Sequence, residues 1–229
     1  MLLDTFATFT AALAAILGRD SARVFNHNEK IMQAALAYAR HDGLWLEFGV
    51  FQGNTIQKLA SAHGDVVYGF DSFLGLPEDW RTSVSRGFDE AYTLKGSFSL
   101  KGVPPKRGKN VQYVKGWFND TLPDFLQHHE EMVRFLHVDC DLYSSSSYVL
   151  RELAPRLTNG TVVVFDELIN YPGYERHELL ALWEFLLRNK FDIRILSGGR
   201  MHTNPRHDLV GQGVAVQLLT RSAAFPSVA

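Results

Sequence analysis

"WLEFGVFQGNTI" spans Trp45 to Ile56. An apolar run carrying one glutamate ends on a glycine, and a second glycine follows four residues later. The run reads as a buried strand, and residues 54–63 have helical spacing. A buried strand that ends in an acid and a bare turn is the opening unit of an open parallel sheet. In such sheets ligands bind outside the carboxyl ends of the strands. Glu47 is expected at the carboxyl end of this strand. Gly49 and Gly53 let a ligand approach the main chain, and Thr55 sits where the following helix has free N–H groups.

Further apolar runs lie at 66–70, 111–114, 133–139, 161–166 and 191–196. Helical patterns at 120–131, 144–157 and 174–189 separate several of them, which predicts a parallel sheet covered on both faces. A last run at 213–219 follows a loop without a helix, so it should pair antiparallel with the run before it. The expected fold is α/β: one doubly wound Rossmann-like domain with a seven-stranded, mostly parallel sheet and the last strand antiparallel. Helical segments at 3–17 and 28–41 predict an N-terminal helical cap over 1–42, ahead of a main domain at 43–229. Exposed apolar positions in those two segments suggest a homodimer.

The 229 residues are 46% hydrophobic and 21% charged, enough for one sizeable core. A net charge of −2 gives no general attraction to nucleic acid or acidic membranes, and neither is expected as a partner. The opening "MLLDTFATFTAALAAILGRD" lacks a basic leader and carries Asp4 early, so it reads as an amphipathic helix rather than a signal peptide. No stretch reaches the roughly 18 apolar residues that span a bilayer. The single cysteine, Cys140, fits a reducing, cytoplasmic setting and reads as a core residue.

The glycine spacing alone is common in a chain with 18 glycines; its place between strand and helix carries the signal. Phe51 breaks the G-x-G-x-x-G dinucleotide pattern, and the G-x-x-x-x-G-K-[ST] phosphate loop is absent. A second acid, Asp71, closes the next run 24 residues after Glu47. Two readings stand for it: an acceptor for ribose hydroxyls on a neighbouring strand end, or a cap of the turn "DSFLGLP".

Asp139 closes the fourth run, Asp166 closes the fifth, and Glu167 follows it. Neighbouring strands lie about 4.8 Å apart, so their terminal carboxylates repel unless one is protonated or a cation sits between them. Oxygen ligands suit Mg²⁺ or Ca²⁺, and no Cys/His cluster offers a zinc site. The alternative is that these acids cap loops without a metal. Asp141, ahead of "LYSSSS" and a helix, reads as a helix N-cap. The hairpin loop, with Arg200, His202, Arg206 and His207, either meets an acceptor or is a solvated tip. The long stretch 78–110 is expected to be a lid. "YPGYERHE" (171–178) is expected to line an acceptor pocket through Tyr171 or Tyr174, with His177 on a helix surface.

The acid-glycine turn with Asp71 resembles class I S-adenosylmethionine (SAM)-dependent methyltransferases. "GFDSFLGLP" (69–77), "VKGWFNDTLP" (114–123) and "LHVDCDLYSSSSYVLRELAPRLTNGTVVVFDE" (136–167) resemble, more narrowly, the macrocin O-methyltransferase (TylF) family. The family pattern has Asp-Gly-Asp where this chain has Asp139-Cys140-Asp141. It has Asp-Asp where this chain has Asp166-Glu167, one methylene longer. The resemblance implies that Glu47, Gly49 and Gly53 line the methionine part of SAM and that Asp71 holds the ribose. It also implies Ser72 and Phe73 near the adenine, flanked by Gly116, Trp117 and Phe118. Asp139 would be both metal ligand and general base beside the cofactor, with Asp166 and Glu167 as further Mg²⁺ ligands.

The reading that follows is a divalent-metal-assisted O-methyltransferase acting on a hydroxyl of a small sugar or natural-product-like molecule. Its alternatives are a metal-independent N- or C-methyltransferase and a non-catalytic nucleoside-binding protein.

Overall fold

Uninterrupted Val, Leu and Phe runs become interior strands because both of their faces are covered. In the computed structural model, which describes residues 5–18, 24–25, 27–80, 94–202 and 211–221, every residue of β1 (Leu44–Phe48) is buried. The same holds for β5 (Val162–Phe165). The other strands are β2 (Val67–Asp71), β3 (Val111–Lys115), β4 (Val133–Val138), β6 (Phe191–Gly198) and β7 (Val214–Thr220). They form one sheet in the order β3-β2-β1-β4-β5-β7-β6.

Strands β1 to β5 pair in parallel, and β7 is antiparallel to both β5 and β6. Six strands therefore run one way and the last runs against them, as the periodicity predicts. The hairpin is placed with β7 inside and β6 at the edge. Val214, Ala215, Val216 and Leu218 of β7 are buried and need cover on both faces, whereas β6 carries Asp192 and Arg194 and begins half-buried. A charged edge strand also resists pairing with other chains.

The helices are α1 (Phe6–Leu17), α2 (Asn28–Leu36), α3 (Asn54–His63), α4 (Phe118–His128), α5 (Tyr143–Leu153) and α6 (Glu178–Asn189). One face of the sheet packs against α1, α4, α5 and α6 through Phe9, Phe125, Val149 and Leu182. The other packs against α2 and α3, where Ile31, Ile56 and Leu59 meet Trp45, Phe135 and Val164. Several boundaries differ from the periodicity: α4 runs Phe118–His128 against the expected 120–131, and α5 ends at Leu153, four residues short. α2 stops at Leu36, five residues short of the expected end. α6 starts at Glu178 because His177 (φ −111°, ψ −127°) separates it from the single 3₁₀ turn 174–176.

The first two helices do not stand apart from the rest. Phe6 packs edge-on against Trp183 at 5.5 Å, the Phe25 N–H donates to the Gly198 carbonyl, and the Ser197 hydroxyl donates to the Ile31 carbonyl. The large apolar residues Phe9, Leu13, Leu17, Ile31 and Met32 of these helices are buried within the chain, whereas Ile16 (43%) and, just after α2, Tyr38 (41%) are exposed.

β1 lies between β2 and β4, so the order of strands reverses there. The carboxyl ends at this switch point splay apart and leave a crevice. Leu136, fully buried on β4 beside the switch, tests the packing that holds it. Leu136→Ala is expected to lower unfolding free energy by about 2–5 kcal/mol in urea titrations. A loss below about 1 kcal/mol would show that this strand is not central to the core.

Candidate active site

A cavity of about 660 Å³ occupies the crevice, within the roughly 300–1,000 Å³ usual for small-molecule sites. Strand ends and helix starts supply its walls. Gly49 and Phe51 come from the turn after β1, and Asp71 and Ser72 from the end of β2. Trp117 and Phe118 open α4, Asp139 to Asp141 follow β4, and Asp166 and Glu167 follow β5.

The turn after β1 is built on Gly49 at φ +88°. A Cβ there would lie 1.7 Å from the Asp139 carbonyl oxygen, so the two strand ends touch main chain to main chain. Gly53 closes the turn in the left-handed region and is the N-cap of α3. The Asp71 carboxylate holds the turn in place. One of its oxygens accepts the Val50 and Phe51 N–H groups at 2.8 Å each, and the other accepts the Phe73 N–H at 2.7 Å. Asp71 therefore both caps its own turn and ties β2 to the glycine turn. A carboxylate offers about four lone-pair sites, so one remains for a hydroxyl.

Asp139, Asp166 and Glu167 each present an oxygen within 4.8 Å of the others. All three open onto the cavity yet lie deep. Burial first, and then the charge of Asp166, push the Asp139 carboxyl well above its usual range. The same two causes raise Glu167, and its Oε2 is buried without a hydrogen-bond partner. Burial acts on Asp166 in the same sense, but His137 and Asn28 outweigh it and hold its carboxyl below the usual range. Three carboxylate oxygens gathered this closely are the hard ligands that suit a divalent cation.

A buried polar row lies behind this cluster, on the α2/α3 face of the sheet. His137 Nδ1 is 3.3 Å from Glu47 Oε2, and His137 Nε2 is 3.8 Å from Asp166 Oδ1. Neither contact meets hydrogen-bond geometry, so both are ion pairs of the protonated ring. Burial alone would lower the His137 pKa; Asp166 and Glu47 raise it well above the ordinary value instead.

Several sequence expectations stand differently here. Glu47 is the fourth of five residues in β1, is 1% exposed, faces His137 and does not line the cavity. Phe73 is buried against Tyr113 (5.6 Å) in the α2/α3-side core. Gly53, Thr55 and Gly116 are also absent from the cavity wall; the Gly116 N–H donates to the Asp71 carbonyl. Asp141 is not the N-cap of α5. That position is Leu142, and Asp141 lies upstream at φ +63° on the cavity wall. Tyr171 and Tyr174 belong to the core and not to a pocket. Cys140 is buried, its thiol pushed up by burial and donating to the Phe48 carbonyl at 3.6 Å. The main chain at Arg200 and His202 is bonded to Asn170, away from the cavity. Arg206 and His207, and residues 81–93 of the expected lid, lie outside the described residues.

Part of the stretch expected as a lid forms a wall of the cavity, through a residue the sequence did not single out. Residues 94–103 fold back onto the "FLGL" turn: the Leu76 N–H donates to the Ser97 carbonyl, and the Leu100 and Gly102 N–H groups donate to Phe73. This brings Phe98 to the cavity, edge-on to Phe51 at 5.5 Å. Nothing in the local spacing marks Phe98, because its partner lies 47 positions earlier. Ser144, Ser145 and Tyr148 of α5 form a further wall, and the serine run at a helix start was its only signal.

Comparison with known proteins adds to this geometry. The family of macrocin O-methyltransferases (TylF) matches residues 22–178. A relative from Streptomyces olivaceus, 8-demethyl-8-(2,3-dimethoxy-alpha-L-rhamnosyl)-tetracenomycin-C 4'-O-methyltransferase, is 30% identical over 139 residues. That stretch is 53% of this chain and 51% of the relative, so the chain spans about half the length of the curated relative it matches. Among solved structures, the calicheamicin methyltransferase CalS11 superposes with a TM-score of 0.57 at 21% identity, covering 83% of this chain and 76% of its own. The O-methyltransferase NovP superposes with a TM-score of 0.55 at 19% identity, covering 95% and 100%. These two likenesses establish the Rossmann-like methyltransferase fold. The family match runs through β1 to β5 and every acid-bearing strand end, over more than half of the sequence, and the chain belongs to the macrocin O-methyltransferase (TylF) family.

Proposed function

We propose that this chain methylates a hydroxyl of a small sugar or natural-product-like molecule, using SAM and assisted by a divalent cation. One observation carries the reading: three carboxylates converge within 4.8 Å of one another on the same cavity as the glycine turn. Family membership supports methyl transfer, and the Streptomyces relative, named for a 4'-O-methylation on a rhamnosylated compound, supports a non-anomeric hydroxyl of a glycosylated small molecule as acceptor. No helix among the described residues is long and apolar enough to cross a membrane, and the lone buried cysteine suits a reducing compartment such as the cytoplasm.

Each part of the cavity then has a task. Gly49 offers bare main chain to the amino-acid end of SAM, and Asp71 gives its remaining lone pair to the ribose. Ser72, Phe51, Phe98, Trp117 and Phe118 surround the purine. Asp139, Asp166 and Glu167 would hold Mg²⁺. SAM supplies an activated methyl group, and a bound cation lowers the pKa of the acceptor hydroxyl. Asp139, beside the acceptor position on the cavity wall, would take the proton from that hydroxyl. The apolar walls exclude water and hold the acceptor in line with the methyl group.

The chemistry of the acids gives a sign for pH. Asp139 and Glu167 retain protons more strongly than free carboxyls, so a cation must displace them. Mg²⁺ binding is expected to release protons and to weaken as pH falls. Calorimetry in buffers of different ionisation enthalpy reads this directly; binding with no proton release contradicts it.

Turnover is expected to fall at least 100-fold in EDTA and to return with Mg²⁺. Asp139→Asn should lower kcat about 100-fold or more and leave S-adenosylhomocysteine (SAH) affinity within threefold. Turnover indifferent to EDTA would favour the metal-free methyltransferase. SAH binding with no methylation across a panel of hydroxylated glycosides would favour a non-catalytic binder. Asp71→Ala removes the acceptor of three main-chain N–H groups. It should weaken SAH binding about tenfold or more, with Asp71→Asn intermediate. Equal SAH affinity in Asp71→Ala and the parent would remove Asp71 from the cofactor site.

A further inference from the structure

The acid that closes the first strand is the residue most naturally assigned to the cofactor, yet it points elsewhere. Glu47 and His137 sit opposite each other in the parallel register of β1 and β4. Two residues earlier on each strand, Trp45 and Phe135 stack at 4.8 Å on the α2/α3 face. Side chains alternate along a strand, so Glu47 and His137 continue that stack toward the carboxyl ends. The last strand of the row, β5, ends at Asp166. Both ring nitrogens of His137 thus lie next to a carboxylate, Glu47 on one side and Asp166 on the other. Glu47 and His137 are each 1% exposed. Among the described residues, His137 is the one basic side chain paired with either acid. Asp166 is the one member that also reaches the cavity.

We propose that Glu47, His137 and Asp166 form a buried positioning relay, in which Glu47 holds the His137 ring and the ring fixes the Asp166 carboxylate at the cavity wall. Glu47 then serves the acceptor-side acids and does not contact SAM. Asn28 secures the same segment from outside: its amide donates to the Asp166 carbonyl at 2.8 Å and its oxygen accepts the Gly213 N–H at 3.0 Å. The Asp166 carboxylate is met by the His137 ring from inside the sheet and by Asn28 from the α2 side. Removing one member of a buried charged set leaves the others uncompensated, so the relay should behave as a unit.

The inference rests on the proposed reaction only for its functional readout. The full-length protein is compared with Glu47→Gln, His137→Phe and the double variant, using Mn²⁺ as probe by electron paramagnetic resonance and SAH by calorimetry. Mn²⁺ affinity and kcat should each fall about tenfold in both single variants, and no further in the double. SAH affinity and KM for SAM should stay within threefold. A tenfold loss of SAH affinity in Glu47→Gln with Mn²⁺ binding intact overturns the relay, as do losses that multiply in the double. If the parent binds SAH but no Mn²⁺, the metal reading falls by itself, and thermal unfolding decides the relay. Glu47→Gln and Asp166→Asn should then shift Tm non-additively in the parent and additively in the His137→Phe background; additivity in both overturns it. His137→Gln replaces His137→Phe if the latter does not fold.

Discussion

Parallel register forces carboxylates together at one rim of this sheet, and the site is organised around that repulsion. Strands that run the same way end at the same edge, and β2, β4 and β5 are each followed or closed by an acid. Each acid is answered differently. Asp71 is neutralised by three main-chain N–H groups. Asp166 is answered by His137 and Asn28. For Asp139 and Glu167, burial and the charge of Asp166 prevail, and both are left proton-seeking. An unanswered pair of this kind is costly in a core unless it has a task, which is why strongly shifted groups gather at functional sites.

The glycine turn and the acid cluster are also one mechanical unit. Gly49 lies against the Asp139 carbonyl so closely that no Cβ fits. The Asp139 N–H donates to the Phe48 carbonyl on the other side of the same contact. The glycine turn is therefore coupled to the strand end that bears Asp139. Asp71 extends the unit to β2 and, through Phe73, to the segment that carries Phe98.

Elements distant in sequence complete what the strand ends begin. Asn28, at the start of α2, bonds the chain just after β5 and just before β7. Asn170 joins the segment after β5 to both ends of the β6–β7 connection through Arg200 and Gly211. Such bonds between residues tens of positions apart leave no periodic trace. Helix α2, part of the N-terminal helical segment expected as a cap, bonds the acid-bearing loop through Asn28.

Apolar periodicity, by itself, determined the seven strands, their parallel sense, the antiparallel hairpin at the end and the helix at 54–63. Those features depend on which faces must be covered, and that requirement is local and repeats along the chain. The acids at the rim were legible too, because a carboxylate at the end of a buried run is conspicuous against it. Only the tertiary structure decided where each acid points. Glu47 turns inward because strand alternation places it on the same face as Trp45, opposite His137, and the residue across the sheet is set by register between strands 90 positions apart. Phe73 and Tyr171 went to the core and Phe98 to the cavity for the same reason: a side chain's neighbours are chosen by packing across the sheet, which composition and spacing do not encode.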